Sequence, residues 1–373
     1  MNKKYFFFLL MFSILIGTIY SFIYTYTFFN LKNFLTYTYI DNKNTLSFFK
    51  EKSKIVHHLR EPNRKRKSDD EYIFSYIARN DLKETVLFQG DSWMQGINDH
   101  PEANSYLKSR FNNDYNLINA GTMSYSPSLM SVQYDLLKNN FNIKPDYMIV
   151  YIDQTDVGDE VCRYRYLKKF NKENKLIAVP YEEYPYYTGL SIDLVLKHSE
   201  IALSNKSAFL KTQNFINYKI KKLFYKNIKT YKKKVLKKNF SGKCSSGGVH
   251  DVLVRNDKSE IEYFKYALLE YLNKLDNDKN LKKIFIITHP HKFQQVEKKT
   301  ILNVSSIVEE AIYKKPKFEH INFTKKIAEN EKLYKNYNNI WENDMVHLKV
   351  EPLITPFLEE ITDTFFLLIN KTN

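Results

Sequence analysis

The sequence predicts an α/β fold, a three-layer α/β/α sandwich with a mostly parallel sheet, preceded by an N-terminal transmembrane helix. Three observations lead there. Short runs rich in Val, Ile and Phe (86–88, 147–152 and 284–288) are bounded by polar turns, the pattern of strands buried on both faces. Segments with apolar residues at helical spacing separate them, and strand alternating with helix builds a parallel sheet covered on both sides. Residues 5–31 form an uncharged apolar run long enough to cross a bilayer.

Tyr5 to Leu31 carries no charge over 27 residues and is dense in Phe, Leu, Ile and Tyr. As a helix it spans about 30 Å of hydrocarbon. No Ala-x-Ala cleavage site closes it; Ser21 is the nearest approach, with Ile19 two positions earlier, so an uncleaved signal anchor is favoured over a cleaved signal. Lys3, Lys4 and the terminal amine favour an N-terminus inside and the remainder outside, in the periplasm or at the cell surface. Residues 32–80 read as a polar tether, with the run Arg64 to Lys67 as a solvated stalk. The domain occupies 81–373 and its first strand opens at Thr85. Leu117-Ile118 and Ile321 to Phe323 supply a fourth and fifth strand. Pro127 to Phe141 reads as a helix with Leu129, Val132, Leu136 and Leu137 on one face and Pro127 in its first turn. Ser259 to Glu262 has the form of a capping box opening a helix with Ile261, Phe264, Leu268 and Leu272. Glu351 to Ile369 reads as an amphipathic closing helix. Residues 159–255 form an insertion with no place in this alternation.

The net charge of +15 is unevenly spread: Ile201 to His250 contains thirteen lysines and no carboxylate. Within it Tyr218 to Lys238 reads as a basic helix with Phe224, Tyr225 and Tyr231 interleaved. A solvated lysine-rich surface, a grip for an anionic polymer and a face lying on anionic lipid are all open readings. Nucleic acid suits the charge but not the compartment, so it is not expected as a partner. Cys162 and Cys244 are too few for a disulfide scaffold; in an oxidising compartment they either pair or remain thiols. No structural-zinc spacing is present, and His289-Pro290-His291 fits strand-end packing or a loop better than a metal site.

The chemistry concentrates elsewhere. Gly90-Asp91-Ser92 follows the apolar run Val86 to Phe88, and Asp344-Met345-Val346-His347 lies near the C-terminus. Serine is a poor nucleophile at its ordinary pKa and needs a histidine base within reach, itself oriented by a third group. Asp344 and His347, three residues apart, can face the same side of the backbone and act as that pair. Ser92 sits where a strand hands over to a helix, so its own N–H and the helix N-terminus point at a developing oxyanion. Asp91 reads as a cap of that turn and not as a catalytic group.

These motifs resemble the SGNH, or GDSL-like, hydrolase family. Gly90-Asp91-Ser92 with Gly96 matches the first block, Gly121 in Asn119-Ala120-Gly121-Thr122 matches the second, and Asp344 to His347 matches the last. The third block departs: after Tyr147 to Ile152 the chain reads Asp153-Gln154-Thr155-Asp156, with Thr155 where the family has asparagine. The resemblance implies Ser92, Asp344 and His347 as catalytic residues and Ser92, Gly121 and Thr155 as the oxyanion hole, with no cofactor. It further implies a serine-dependent ester hydrolase or O-acyl(acetyl)transferase acting on a cell-envelope glycan, with a membrane acyl donor as a further candidate partner; the basic window would suit an acidic glycan. Two other classes remain open. One is a non-catalytic module gripping an anionic polymer, favoured by the altered third block. The other is a lipase-like or thioesterase enzyme, which calls for a broad apolar entrance where Trp93 and Met94 offer a small one. Trp93 and Trp341 flank the motifs and are candidates for an acyl pocket, though packing is the commoner fate of tryptophan.

Overall fold

In the computed structural model the described residues are 3–37, 40, 42–60, 68–112, 114–181, 196, 199–204, 210, 211, 213, 214, 252–254, 257–290, 302–329 and 350–370. They fall into two units. The smaller comprises residues 1–51, 61–67 and 189–242. Its first element is helix α1 (Lys3–Tyr37), whose window Tyr5–Tyr26 is uncharged, predominantly apolar and has no buried residue. By length and composition that helix can serve as a membrane anchor or a signal sequence. Helix α2 (Lys43–Lys52) follows, and Lys50 of this unit pairs with Glu200 at 2.7 Å.

The larger unit comprises residues 52–60, 68–188 and 243–373 and contains the sheet. Strands β1 (Ser75–Ala78), β2 (Thr85–Gln89), β3 (Asn116–Asn119), β4 (Tyr147–Tyr151), β7 (Lys283–Thr288) and β8 (Phe318–Asn322) form it in the order β1-β3-β2-β4-β7-β8. All pairs are parallel except β1 with β3. A two-residue and a three-residue strand, β5 (Lys169–Phe170) and β6 (Leu176–Ala178), make a separate antiparallel hairpin. Every residue of β3 and β4 is buried, because helices cover both faces. On one face lie α3 (Ser92–Asp99), α4 (Pro101–Phe111) and the closing helix Val350–Ile369, whose Leu358, Ile361, Phe365 and Ile369 meet Val86, Phe88, Ile149 and Phe285 in one core. The spacing of those four positions is the helical stripe expected of the closing helix. The other face is covered by α5 (Pro127–Phe141) packed on the helix Lys258–Asp276, which in turn packs on Val304–Ile312.

Two expectations are corrected. The tether assigned to 32–80 ends earlier, because 52–60 and 68–80 belong to the sheet-bearing unit: Val56, Leu59, Ile73, Phe74 and Ile77 are buried and β1 pairs with β3. Val179 N–H donates to Ile55 carbonyl and Tyr181 N–H to Ser53 carbonyl, so this stretch and the start of the expected insertion secure each other. The helix Lys258–Asp276 is capped by Asp257, whose carboxylate accepts from the N–H groups of Ser259 and Glu260; Ser259 lies inside the first turn and donates its hydroxyl to the same carboxylate. A carboxylate at the N-cap is the stronger acceptor next to the helix dipole.

Candidate functional site

The chain runs from β2 outward to β3 and then returns past β2 to β4, so strand order reverses beside β2. In open α/β sheets that reversal leaves a crevice at the carboxyl ends of the strands. Gly90, Asp91 and Ser92 occupy it, directly after Gln89, the last residue of β2. Ser92 is the half-buried first residue of α3, and Asp91 caps the helix: its Oδ1 accepts from Trp93 N–H at 3.0 Å and its Oδ2 accepts from Ser92 Oγ at 3.3 Å. A side chain at Gly90 would bring Cβ to 2.8 Å from Tyr151 Cβ and 2.9 Å from Met94 Cγ, so the turn needs glycine there. At Gly96 a Cβ meets open space, and nothing steric requires that glycine.

Gly121 lies against the first turn of α3, where an added Cβ would sit 2.4 Å from Gln95 N and 2.5 Å from Met94 carbonyl carbon. Its N–H donates to Asn119 Oδ1 at 2.8 Å, so the amide that the family resemblance assigns to an oxyanion already has an acceptor. Thr155 follows β4, on the neighbouring strand. Its hydroxyl donates to Asp153 Oδ2, which also accepts from Thr155 N–H at 3.2 Å. Ser92, Gly121 and Thr155 therefore share the rim of three adjacent strands, yet the last two direct their donors at protein atoms. Asp344, His347 and Trp341 lie outside the described residues, as do His291 and most of the basic window.

Several further titratable groups are concentrated here. Asp91, Asp153, Asp156 and Asp159 are all buried. Burial, reinforced by the charge of Asp153, holds the Asp91 carboxyl well above the usual range; burial and the charges of Asp91 and Asp153 do the same to Asp156. Burial pushes Asp159 up to about 7 against the opposing pull of Arg163, which pairs with it at 2.8 Å. Carboxyls so close in a low-dielectric setting share protons instead of all ionising. His289, at the end of β7, presents Nε2 to Asp153 Oδ1 at 3.6 Å while Nδ1 meets Pro290 carbonyl at 2.7 Å. Its ring lies 4.2 Å from that of Trp93, which also stacks on Tyr151, so Trp93 is packed among aromatics as well as next to the serine. Among the described residues no cluster of His, Cys, Asp and Glu has the arrangement of a metal site. Cys162 is disulfide-bonded, and Cys244 lies outside the described residues.

No protein-family model matches the chain, and no curated protein matches it. Among solved structures it is similar to a gut microbial diltiazem-metabolizing enzyme, at 12% identity and a TM-score of 0.35 over 74% of this chain. The match takes in 46% of that structure, so the chain spans about half its length.

Proposed function

We propose that this chain is a membrane-anchored, serine-dependent ester hydrolase or O-acyl(acetyl)transferase of the SGNH type, working outside the cytoplasm on a cell-envelope glycan. One observation carries the reading: Ser92 is the first residue of a helix that starts at the carboxyl end of the strand beside which strand order reverses. There the helix N-terminus favours negative charge beside the Ser92 hydroxyl. Ser92 Oγ attacks an acyl carbonyl while His347, oriented by Asp344, takes the proton. The tetrahedral intermediate collapses with expulsion of the alcohol, which recovers that proton, and leaves an acyl-Ser92. Water or a glycan hydroxyl then attacks the acyl-enzyme through the reverse proton transfer. The Ser92 N–H is the first oxyanion donor. Gly121 N–H joins it when the amide turns from Asn119. The N-terminal helix of membrane-spanning length supports placement at a membrane.

A second reading rests on the same rim. Gly121 N–H and the Thr155 hydroxyl are both committed to protein acceptors, as in a module that keeps the fold and binds glycan without turnover. A fluorophosphonate probe separates the two on the full chain in detergent. Labelling of wild type that is lost in Ser92→Ala, together with loss of p-nitrophenyl acetate hydrolysis, supports the enzyme; unlabelled, inactive wild type that still retains an acidic polysaccharide supports the module.

A further inference from the structure

Arg60 is one of the most deeply buried large side chains in the protein, 1% exposed, and it lies in a stretch whose sequence reads as tether. Its guanidinium is spread over the loop that follows β3. Nε donates to Gly121 carbonyl at 2.9 Å, and one terminal nitrogen donates to Asn119 carbonyl at 2.7 Å and to Asn119 Oδ1 at 3.0 Å. The other donates to Ser75 Oγ and to Glu71 carbonyl. A buried guanidinium is tolerated only where its planar fork meets acceptors in this way, and an ammonium cannot span the same set.

The bonds lead straight to the nucleophile. Asn119, fully buried, accepts Arg60 and Gly121 N–H on one amide oxygen and donates from Nδ2 to Met94 carbonyl, in the first turn of α3. Thr122 N–H donates to Gly90 carbonyl at 3.0 Å, and Met123 N–H to Gln95 Oε1 at 2.8 Å. Residues 119–123 are thus fastened to residues 90–95 at three points on one side and held by Arg60 on the other. With no Cβ at Gly121 the two segments lie in backbone contact, and a small shift of the loop carries the Ser92 turn with it.

Resting on the serine-enzyme reading above, we infer that Arg60 is a positioning residue for the reaction: through Asn119 and Gly121 it sets the spacing between the Ser92 turn and the amide of the second block. It does not touch the reacting atoms. Misplacement of a reacting group by about 1 Å costs on the order of 100-fold in rate, and Arg60→Lys, which keeps the charge but loses the fork, is expected to lower kcat by that order with KM within about twofold. The experiment uses the full chain in detergent with p-nitrophenyl acetate and a fluorophosphonate probe, at a temperature where every variant is folded by circular dichroism. Leu268→Ala, a cavity in the helix on the opposite face of the sheet, serves as the destabilised control. Asn119→Ser, which leaves Arg60 its carbonyl acceptors and removes the link to Met94, covers the case in which Arg60→Lys does not fold. Slowed acylation and lowered kcat in Arg60→Lys or Asn119→Ser, with Leu268→Ala near wild type, support the inference. Rates equal to wild type in the folded variants, or a loss matched by Leu268→Ala, overturn it. Unlabelled wild type overturns the enzyme reading itself, which is a different result.

Discussion

Thr155 has one hydroxyl hydrogen, and it goes to Asp153 Oδ2. Thr155→Val therefore removes a donor from a fully buried carboxyl group, whose loss of a partner costs about 1–3 kcal/mol, and should lower the melting temperature while leaving kcat within a few-fold. A fall in kcat near 100-fold with unchanged stability would instead return Thr155 to the oxyanion hole. The serine turn was legible because its requirements are local: a small residue at 90, a capping carboxylate at 91 and a hydroxyl at 92 follow one another. Asn119, two residues before Gly121, has the side chain that holds that amide, whereas the family resemblance assigns a role to the glycine alone. Arg60 was not legible, since the acceptors that tie it to the rim, two backbone carbonyls and an amide oxygen, are brought from 59 and 61 positions away, which no spacing announces.

Helices with a steady apolar stripe were readable at the scale of the element: Pro127–Phe141 begins and ends where the pattern does, and the closing helix starts within one residue of its expected position. The stretch 52–60 was not, because Val56, His57, His58 and Leu59 are buried in succession and follow neither helical nor strand period. It also holds a titrating pair. His58 Nε2 meets Met123 carbonyl at 2.6 Å and so carries the hydrogen, which leaves its Nδ1 to accept from His57 Nδ1 at 3.0 Å. Burial, with the charge of His58 second, holds His57 well below its usual pKa, and burial brings His58 to about 4. Both rings are neutral in the fold and protonate near pH 6.5 when unfolded, so their contribution is complete above that pH and falls as acid is added toward pH 4. The slope is roughly 1.4 kcal/mol per pH unit for each histidine. Asp91, Asp156 and Asp159 act with the opposite sign, since raised carboxyl values favour the fold at lower pH. The histidine part is then the difference in melting temperature against pH between wild type and His57→Gln/His58→Gln, which should narrow steadily from pH 6.5 to 4. A difference that does not change with pH would mean the pair is protonated in the fold.

For the whole molecule, alternation of strand and helix was enough to give the layers and the parallel sheet, while the antiparallel strand β1 escaped notice because four residues with a polar neighbour carry too little pattern. The basic window 201–250 belongs to this scale too, since thirteen like charges act as a field and not as contacts. Replacing Lys232, Lys233, Lys234, Lys237 and Lys238 by Gln should weaken retention on an acidic glycan at low salt, where screening is weakest, and leave hydrolysis of a small neutral ester unchanged; equal retention would make the window a solvated decoration. Strand β1 has a consequence for anyone who trims this chain. It covers the outer side of β3, with Ser75 opposite Asn119 and Tyr76 opposite Ile118. A soluble version begun at Thr85 would strip that cover and present a row of unpaired N–H and C=O groups, a template on which two molecules zip together edge to edge. Such a fragment would be expected to elute as aggregate, with the loss of Arg60 compounding it. Residues 52–60 and 68–80 are as much a part of the protein's solubility as of the rim that carries Ser92.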